Sequence, residues 1–116
     1  MEKRNILWDK SFEFALTIVD LAQELKELRH FELGSQLVRS GTSVGANIVE
    51  AQRAESKKDF IHKLKISLKE ADETKYWLRI IDLKIKKVDK ELLKENEELI
   101  RLLVSIIKST QKNMKS

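Results

Sequence analysis

A row of basic and aromatic side chains on the third predicted helix is the first candidate for chemistry. Its members recur at spacings of three, four and seven residues, which places them on one side of a helix together with Asp72. They are Lys58, His62, Lys65, Lys69, Tyr76, Arg79 and Lys86. A row of cations can follow the phosphates of a nucleic acid, and a tyrosine can stack on an unpaired base. The row predicts a nucleic-acid interface; a solvated helix face, which also collects lysines, is the alternative.

A polar stripe on the second predicted helix is the second candidate. Its members are Arg39, Ser40, Ser43, Asn47 and Glu50. The stripe holds a candidate nucleophile and a candidate base, but no histidine lies on the same helix and no glycine-rich turn exposes a serine. We therefore expect a buried hydrogen-bonded network that fixes helix packing, and we do not expect an enzyme.

Metal and cofactor sites are not expected. The two histidines, His30 and His62, lack paired-ligand spacing, and the chain has no cysteine. Its glycines at 34, 41 and 45 fit no phosphate-binding loop. Gly41 and Gly45 instead lie within a helix, where they suggest that another helix comes very close.

The composition is that of one nearly all-helical domain over residues 1–116. The chain has no proline, 36% charged residues and only 6% aromatic residues. No apolar run is long enough to cross a bilayer, and the amino terminus lacks the apolar segment of a secretory signal. We therefore expect a cytoplasmic protein that does not associate with membranes.

The charge is uneven along the chain. Residues 1–55 carry seven Lys/Arg and nine Asp/Glu, whereas residues 56–116 carry sixteen and ten, within an overall net charge of +4. The basic character thus comes from the second half, which hints at a polyanionic partner.

Apolar periodicity and capping residues predict four helices. We expect them over Asp9–Leu28, from Glu32 or Leu33 to Ala54, from Ser56 to about Lys86, and from Asp89 to about Asn113. Ser56 followed by Asp59 resembles a capping box. The short connections predict an all-α, antiparallel up-down-up-down four-helix bundle.

Several helices carry more apolar surface than a single core needs. The surplus predicts a homo-oligomer, with a wide core stripe as the alternative. The expected interface residues are Phe14, Ile18, Ile66, Trp77 and Ile80.

Four segments carry a resemblance to a known family. They are Ser40–Glu50, Arg53 with Ser56, Asp59–His62 and Glu73–Leu78. They resemble the four-helix bundle proteins encoded by intervening sequences in bacterial large-subunit ribosomal RNA genes. The chain is also similar to the accessory variability protein of diversity-generating retroelements. Ala51 is a departure, since relatives usually have glycine at this place.

The resemblance implies an antiparallel four-helix protomer assembled into a pentameric ring. For the retroelement branch it also implies binding to nucleic acid and to a reverse transcriptase. We therefore expect a basic homo-oligomeric scaffold that binds RNA or DNA. A protein-interaction module without nucleic-acid binding is the alternative, and membrane association through a basic amphipathic helix is a remote one.

Overall fold

Four α-helices make up the computed structural model, which describes residues 5–115. They are α1 (Ile6–Glu27), α2 (Phe31–Gln52), α3 (Lys57–Lys84) and α4 (Lys90–Lys115). No strand occurs within these residues, so the all-α, four-helix prediction is confirmed and each boundary lies within a few residues of its expected place. Residues 1–4 and Ser116 of the expected domain lie outside the described part.

Local hydrogen bonds fix the start of α3 as expected. The Ser56 hydroxyl accepts a hydrogen bond from the Asp59 N–H at 3.0 Å, and the Asp59 carboxylate accepts one from the Glu55 N–H at 3.4 Å. The side-chain oxygen of Ser56 thereby satisfies one of the free N–H groups of the first turn. The predicted cap at Ser56 is confirmed.

The connection from α1 to α2 reverses the chain without a glycine. Arg29 adopts a left-handed backbone conformation with φ of 69°. The N–H of His30 donates to the carbonyl of Leu25 at 2.8 Å, and the N–H of Arg29 donates to that of Lys26 at 2.9 Å. These two bonds form a Schellman motif, which ends α1 sharply and satisfies its last carbonyls.

The helices enclose one apolar core. Within the described residues, α2 packs against α1 and α3, and α4 packs against α3 and, less extensively, α1. The largest fully buried apolar side chains are Phe14, Ile18, Leu25, Leu37, Ile48, Leu64, Leu78, Ile81, Leu99, Leu103 and Val44. Every helix contributes to this core, so a single chain buries it.

Phe14 and Ile18 correct the predicted oligomer interface. Both are completely buried inside the protomer, so neither can contact a second subunit. Helix α1 has two apolar stripes, and α2 packs on the stripe that contains these residues. The other stripe, which contains Phe12 and Val19, is exposed instead.

Gly41 and Gly45 of α2 lie against side chains of α1. A Cβ atom on Gly41 would lie 2.7 Å from Cγ2 of Ile18, closer than two carbon atoms can pack. A Cβ atom on Gly45 would lie 3.2 Å from the Ser11 hydroxyl oxygen. The neighbour at Gly41 is therefore an apolar side chain rather than a helix backbone, and its branched shape leaves no space for a methyl group.

We predict that Gly41→Ala destabilises the protein although alanine is the better helix former. Overpacking against buried Ile18 should outweigh the gain in helix propensity, for a net loss of about 1–2 kcal/mol in the free energy of unfolding. Gly45→Ala is the matched control and should be close to neutral. Urea unfolding of both variants checks this; a Gly41→Ala protein as stable as the control would contradict the packing described here.

Candidate nucleic-acid interface

The polar stripe of α2 does not form one buried network. Ser40 alone is fully buried, and its hydroxyl oxygen accepts a hydrogen bond from the Thr74 hydroxyl of α3 at 2.9 Å. Ser43 donates to the carbonyl of Arg39 at 2.6 Å, and the Asn47 amide donates to the carbonyl of Ser43 at 2.8 Å. The last two side chains thus bond to their own helix, and the predicted network is wrong for them.

The ends of this stripe form ion pairs at the surface instead. Arg39 donates to Glu70 at 3.2 Å and also pairs with Glu73. Glu50 accepts from Lys63 at 2.9 Å, and this hydrogen bond is the main reason that the pKa of Lys63 is raised. The stripe therefore joins α2 to α3 through one buried hydroxyl pair and three ion pairs, two of Arg39 and one of Glu50.

The other buried polar groups of this packing were not predicted. The Ser67 hydroxyl donates to the carbonyl of Val44 at 2.7 Å, and the Asn96 amide donates to the carbonyl of Ala71 at 3.3 Å. Ser67 and Thr74 lie between the apolar residues of the α3 core stripe. That spacing was the signal in the sequence that both side chains are buried. Within residues 5–115, every buried side-chain nitrogen and oxygen atom has a partner.

The basic row lies on the outer surface of α3, with one exception. Six of its members are exposed along this helix: Lys58, His62, Lys65, Lys69, Tyr76 and Arg79. Lys86 follows the end of α3 and pairs with Glu24 of α1. The inclusion of Lys86 in the row is therefore wrong, because the helix ends before this residue.

The lysines of α3 differ in whether they are neutralised. Two lysines on its flanks pair with neighbouring helices, Lys63 with Glu50 and Lys75 with Glu97. On the outer surface, no carboxylate of the described residues pairs with the cations of the row. These cations are Lys58, Lys65, Lys69 and Arg79. Their charge is therefore available to a polyanion.

Helix α4 extends this basic surface, which the row alone did not reveal. Arg101, Lys108 and Lys112 are exposed on it, and the chain contains no Asp or Glu after Glu98. The carboxyl-terminal turns of α4 lie beside the amino-terminal turns of α3, where Met114 and Lys58 line one cavity. The absence of acidic residues after position 98 was the signal in the sequence.

Tyr76 is the aromatic member of the row and is 60% exposed. Its ring packs edge to face on Trp77, with 5.3 Å between ring centroids and 67° between planes. The Trp77 indole N–H donates to Glu73 at 3.2 Å, and Glu73 also pairs with Arg39. Tyr76 thus has a fixed neighbour on one side and leaves much of its ring open for stacking.

Trp77, Ile66 and Ile80 are the other residues that we expect at the oligomer interface. All three are half-buried on the protomer surface. Trp77 packs against the apolar core, beside a shallow cavity that includes Leu33 and Gln36. Their role in assembly stays a prediction.

A larger apolar surface covers the outside of the α1–α2 pair. Its exposed members are Trp8, Phe12, Leu16, Val19 and Val49. They surround a cavity of about 380 Å³ whose α2 side is formed by the small residues Thr42, Gly45 and Ala46. We call this surface the apolar groove. An exposed apolar surface of this extent is typical of a protein contact.

Negative charge collects between α1 and the amino-terminal half of α4. The carboxylates there are Asp9, Glu13, Glu91, Glu95 and Glu98, and Lys10 pairs with Glu98 at 3.0 Å. Burial raises the pKa of the Glu95 carboxyl, and the nearby carboxylates Glu91, Asp89 and Glu98 raise it further. This acidic cluster therefore lies apart from the basic row of α3.

The described residues also limit other kinds of site. Across residues 5–115, no three His, Asp or Glu side chains are placed to hold a metal ion together. No described helix combines the length and the apolar character needed to cross a lipid bilayer.

The fold defines an all-α protein of four helices, and comparisons with known proteins identify its family. The sequence model of the family described as 23S rRNA-intervening sequence protein matches residues 3–109. The chain therefore belongs to the 23S rRNA-intervening sequence protein family, as the resemblance implied.

A solved structure agrees with this assignment. It is the 1.70 Å crystal structure of a protein of unknown function from the S23 ribosomal protein family of Bacteroides thetaiotaomicron VPI-5482. The two chains are 44% identical and superpose with a TM-score of 0.84, over 89% of this chain and 99% of the other. No curated protein matches the chain.

We predict that Glu95→Gln raises the melting temperature at neutral pH. Because the folded state raises the pKa of Glu95, folding loses stability as the pH rises from the ordinary value of 4.5 through the raised one. Glu95→Gln removes this loss of stability, so the stabilisation by the substitution should disappear when the pH falls well below 4.5.

Glu32→Gln is the control for this prediction. Glu32 is exposed in the first turn of α2, where a negative charge favours the helix, and it does not contribute to the pKa shift of Glu95, so its loss should not stabilise the protein. A stabilisation by Glu95→Gln that is the same at acidic and neutral pH would contradict the electrostatic cause.

Proposed function

We propose that the protein is a non-catalytic, cytoplasmic, homo-oligomeric scaffold that binds RNA through α3 and the carboxyl-terminal half of α4. The observation that carries this proposal is the row of exposed cations without ion pairs on α3, continued by α4. Lys63 and Lys75 on the flanks of α3 pair with carboxylates, whereas Lys58, Lys65 and Lys69 on its outer surface form no ion pair within the described residues. A surface of this kind attracts phosphates by counterion release, whatever the base sequence.

The spacing of the cations suits a polynucleotide better than a single small anion. Lys58 and Lys65 are two turns apart, which is about 10 Å along the helix, and Arg79 lies about 20 Å beyond Lys65. The family name connects its members with 23S rRNA, so structured RNA is the first probe to use. DNA and a reverse transcriptase, which the resemblance to the accessory variability protein suggests, are the next partners to test.

A non-catalytic role is supported by the state of the candidate nucleophile. The Ser40 hydroxyl is fully buried and hydrogen-bonded to Thr74. His30 lies in the connection before α2 and His62 on the outer surface of α3, so neither is close enough in the fold to be its base. The polar groups of α2 thus serve packing.

Contacts between helices support the antiparallel up-down-up-down order that we propose for the protomer. Along the pairs α1–α2 and α2–α3, residue numbers rise on one helix as they fall on the other. The facing residues are Gly34 with Ala22, Gly45 with Ser11, Glu50 with Lys63, and Ser40 with Thr74.

The apolar groove is the surface that we propose for assembly, in the pentameric ring that the family resemblance implies. Within the described residues, α1 and α3 do not pack on each other, and neither do α2 and α4, so the four helices surround the core in chain order. The groove on α1–α2 is thus opposite the basic surface on α3–α4. Assembly through the groove leaves the cations accessible and repeats them in every subunit, which increases avidity for a polyanion.

A second candidate function is that of a protein-interaction module without nucleic-acid binding. The apolar groove favours it, because another protein could occupy the same surface. Charge reversal on α3 distinguishes the two functions: it should abolish RNA binding by a nucleic-acid scaffold and should have little effect on a protein-interaction module.

We predict that Lys65→Glu with Lys69→Glu abolishes RNA binding at near-physiological salt. Both side chains are exposed and form no ion pair within residues 5–115, so their reversal should leave the fold and the oligomer intact. At low salt the affinity should fall by about tenfold or more, because phosphate contacts are lost. Each lost contact also lowers the slope of log affinity against log salt by nearly one.

Lys87→Glu with Lys90→Glu is the matched control, with the same change in charge at the opposite end of α3. Fluorescence anisotropy with a labelled structured RNA, over a salt series, measures both variants. Equal losses in the two variants would show general basicity rather than a defined surface. Wild-type protein that binds no RNA even at low salt would eliminate the proposal and favour the protein-interaction module.

We predict that Phe12→Ser with Leu16→Ser disrupts the oligomer. These side chains are 57% and 47% exposed in the protomer, so the change should reduce assembly without opening the core. Light scattering should give five times the 13.6 kDa protomer mass for the wild type and a smaller mass for the variant.

Leu83→Ser is the control, because Leu83 is 74% exposed at the end of α3, away from the groove. Trp77→Ala tests the α3 interface that the sequence suggests. If Trp77→Ala reduces the mass and the groove variant does not, the assembly surface lies on α3.

A further inference from the structure

We propose that the cavity between the first turns of α3 and the last turns of α4 binds one nucleotide whose base is unpaired. The protein would then prefer RNA with an overhanging strand end to RNA that ends in a closed base pair. This inference depends on the proposed RNA binding and adds the kind of RNA to it.

The cavity has the size and the lining of a small-molecule site. Its volume is about 470 Å³, and its lining residues are Lys58, Ile61, Lys65, Gln111 and Met114. Ile61 is buried and gives the cavity an apolar base, while Met114 is exposed on the α4 side. An apolar floor with a few polar groups at the edge is typical of sites that bind a planar organic group.

Two members of the basic row stand at the edge of this cavity. Lys58 and Lys65 line it, and none of its described lining residues carries a carboxylate. Neither ammonium group forms an ion pair within the described part of the chain. A strand whose phosphates follow the outer surface of α3 therefore reaches the cavity at the amino-terminal end of this helix.

Gln111 supplies the group that can pair with a base. Its side-chain amide carries two donors and an acceptor, and it has no hydrogen-bond partner among residues 5–115. Amide groups read the edges of bases, and apolar or polarisable side chains such as that of Met114 contact their faces. The cavity thus combines phosphate, base-edge and base-face contacts within one nucleotide's reach.

A paired base cannot use these contacts. In a duplex its face is stacked and its Watson–Crick edge is occupied, so only the lysines at the edge of the cavity would contribute. Phosphate contacts alone do not distinguish the two forms. The preference for an unpaired nucleotide therefore depends on Ile61, Gln111 and Met114 rather than on charge.

Two labelled RNA hairpins with equal numbers of phosphates test the inference, one with a blunt end and one whose last nucleotide is unpaired. We expect the wild type to bind the second at least about fivefold more tightly, the usual scale of one base contact. Gln111→Ala with Met114→Ala should lose this preference and bind the blunt hairpin like the wild type. Alanine preserves the helix, and circular dichroism verifies it.

The other results overturn the inference in different ways. Equal binding of both hairpins by the wild type excludes base recognition in the cavity but leaves the proposed RNA binding intact. A preference that survives in the double variant and disappears in Tyr76→Ala places base contact on the middle of α3 instead. If neither hairpin binds at low salt, the proposed function fails together with the inference.

Discussion

The packing of α2 between α1 and α3 is the constraint on which the rest of the structure depends. On one side, Gly41 admits the branched side chain of Ile18, so α1 lies very close. On the other side, Ser40 and Thr74 join their hydroxyl groups at 2.9 Å inside the core. Neither contact tolerates a larger side chain or a shift along the helix, because the core is closely packed. The position of α2 therefore decides which stripe of α1 and which face of α3 remain outside.

The surfaces left outside are chemically distinct. The α1–α2 pair exposes an apolar groove around Phe12 and Leu16, whereas α3 and the end of α4 expose cations that form no ion pair with any described residue. Carboxylates near Glu95 lie between α1 and the start of α4, away from these cations. Because each kind of surface occupies its own part of the protomer, the proposed assembly and the proposed RNA binding use different surfaces.

The sequence predicted the helices well, because capping residues and apolar periodicity are local. It also placed the α3 row, since the positions opposite a core stripe are exposed in any packed helix. It could not decide which of the two α1 stripes is buried, so Phe14 and Ile18 were assigned to the wrong surface. Lys86 was assigned to the row wrongly, because only the tertiary structure shows that it forms an ion pair with Glu24. The pairs Ser40–Thr74 and Ser67–Val44 depend on the register between helices, which periodicity does not contain.

Ultraviolet cross-linking of the wild-type protein to a structured RNA, followed by mass spectrometry of the linked peptides, tests the central claim most directly. It needs no substitution and reports which surface touches the nucleic acid. The account predicts cross-links in α3 between Lys58 and Arg79 and in α4 after Glu98, and it predicts none in the apolar groove. Cross-links confined to α1 and α2, or spread evenly over the surface, would contradict it.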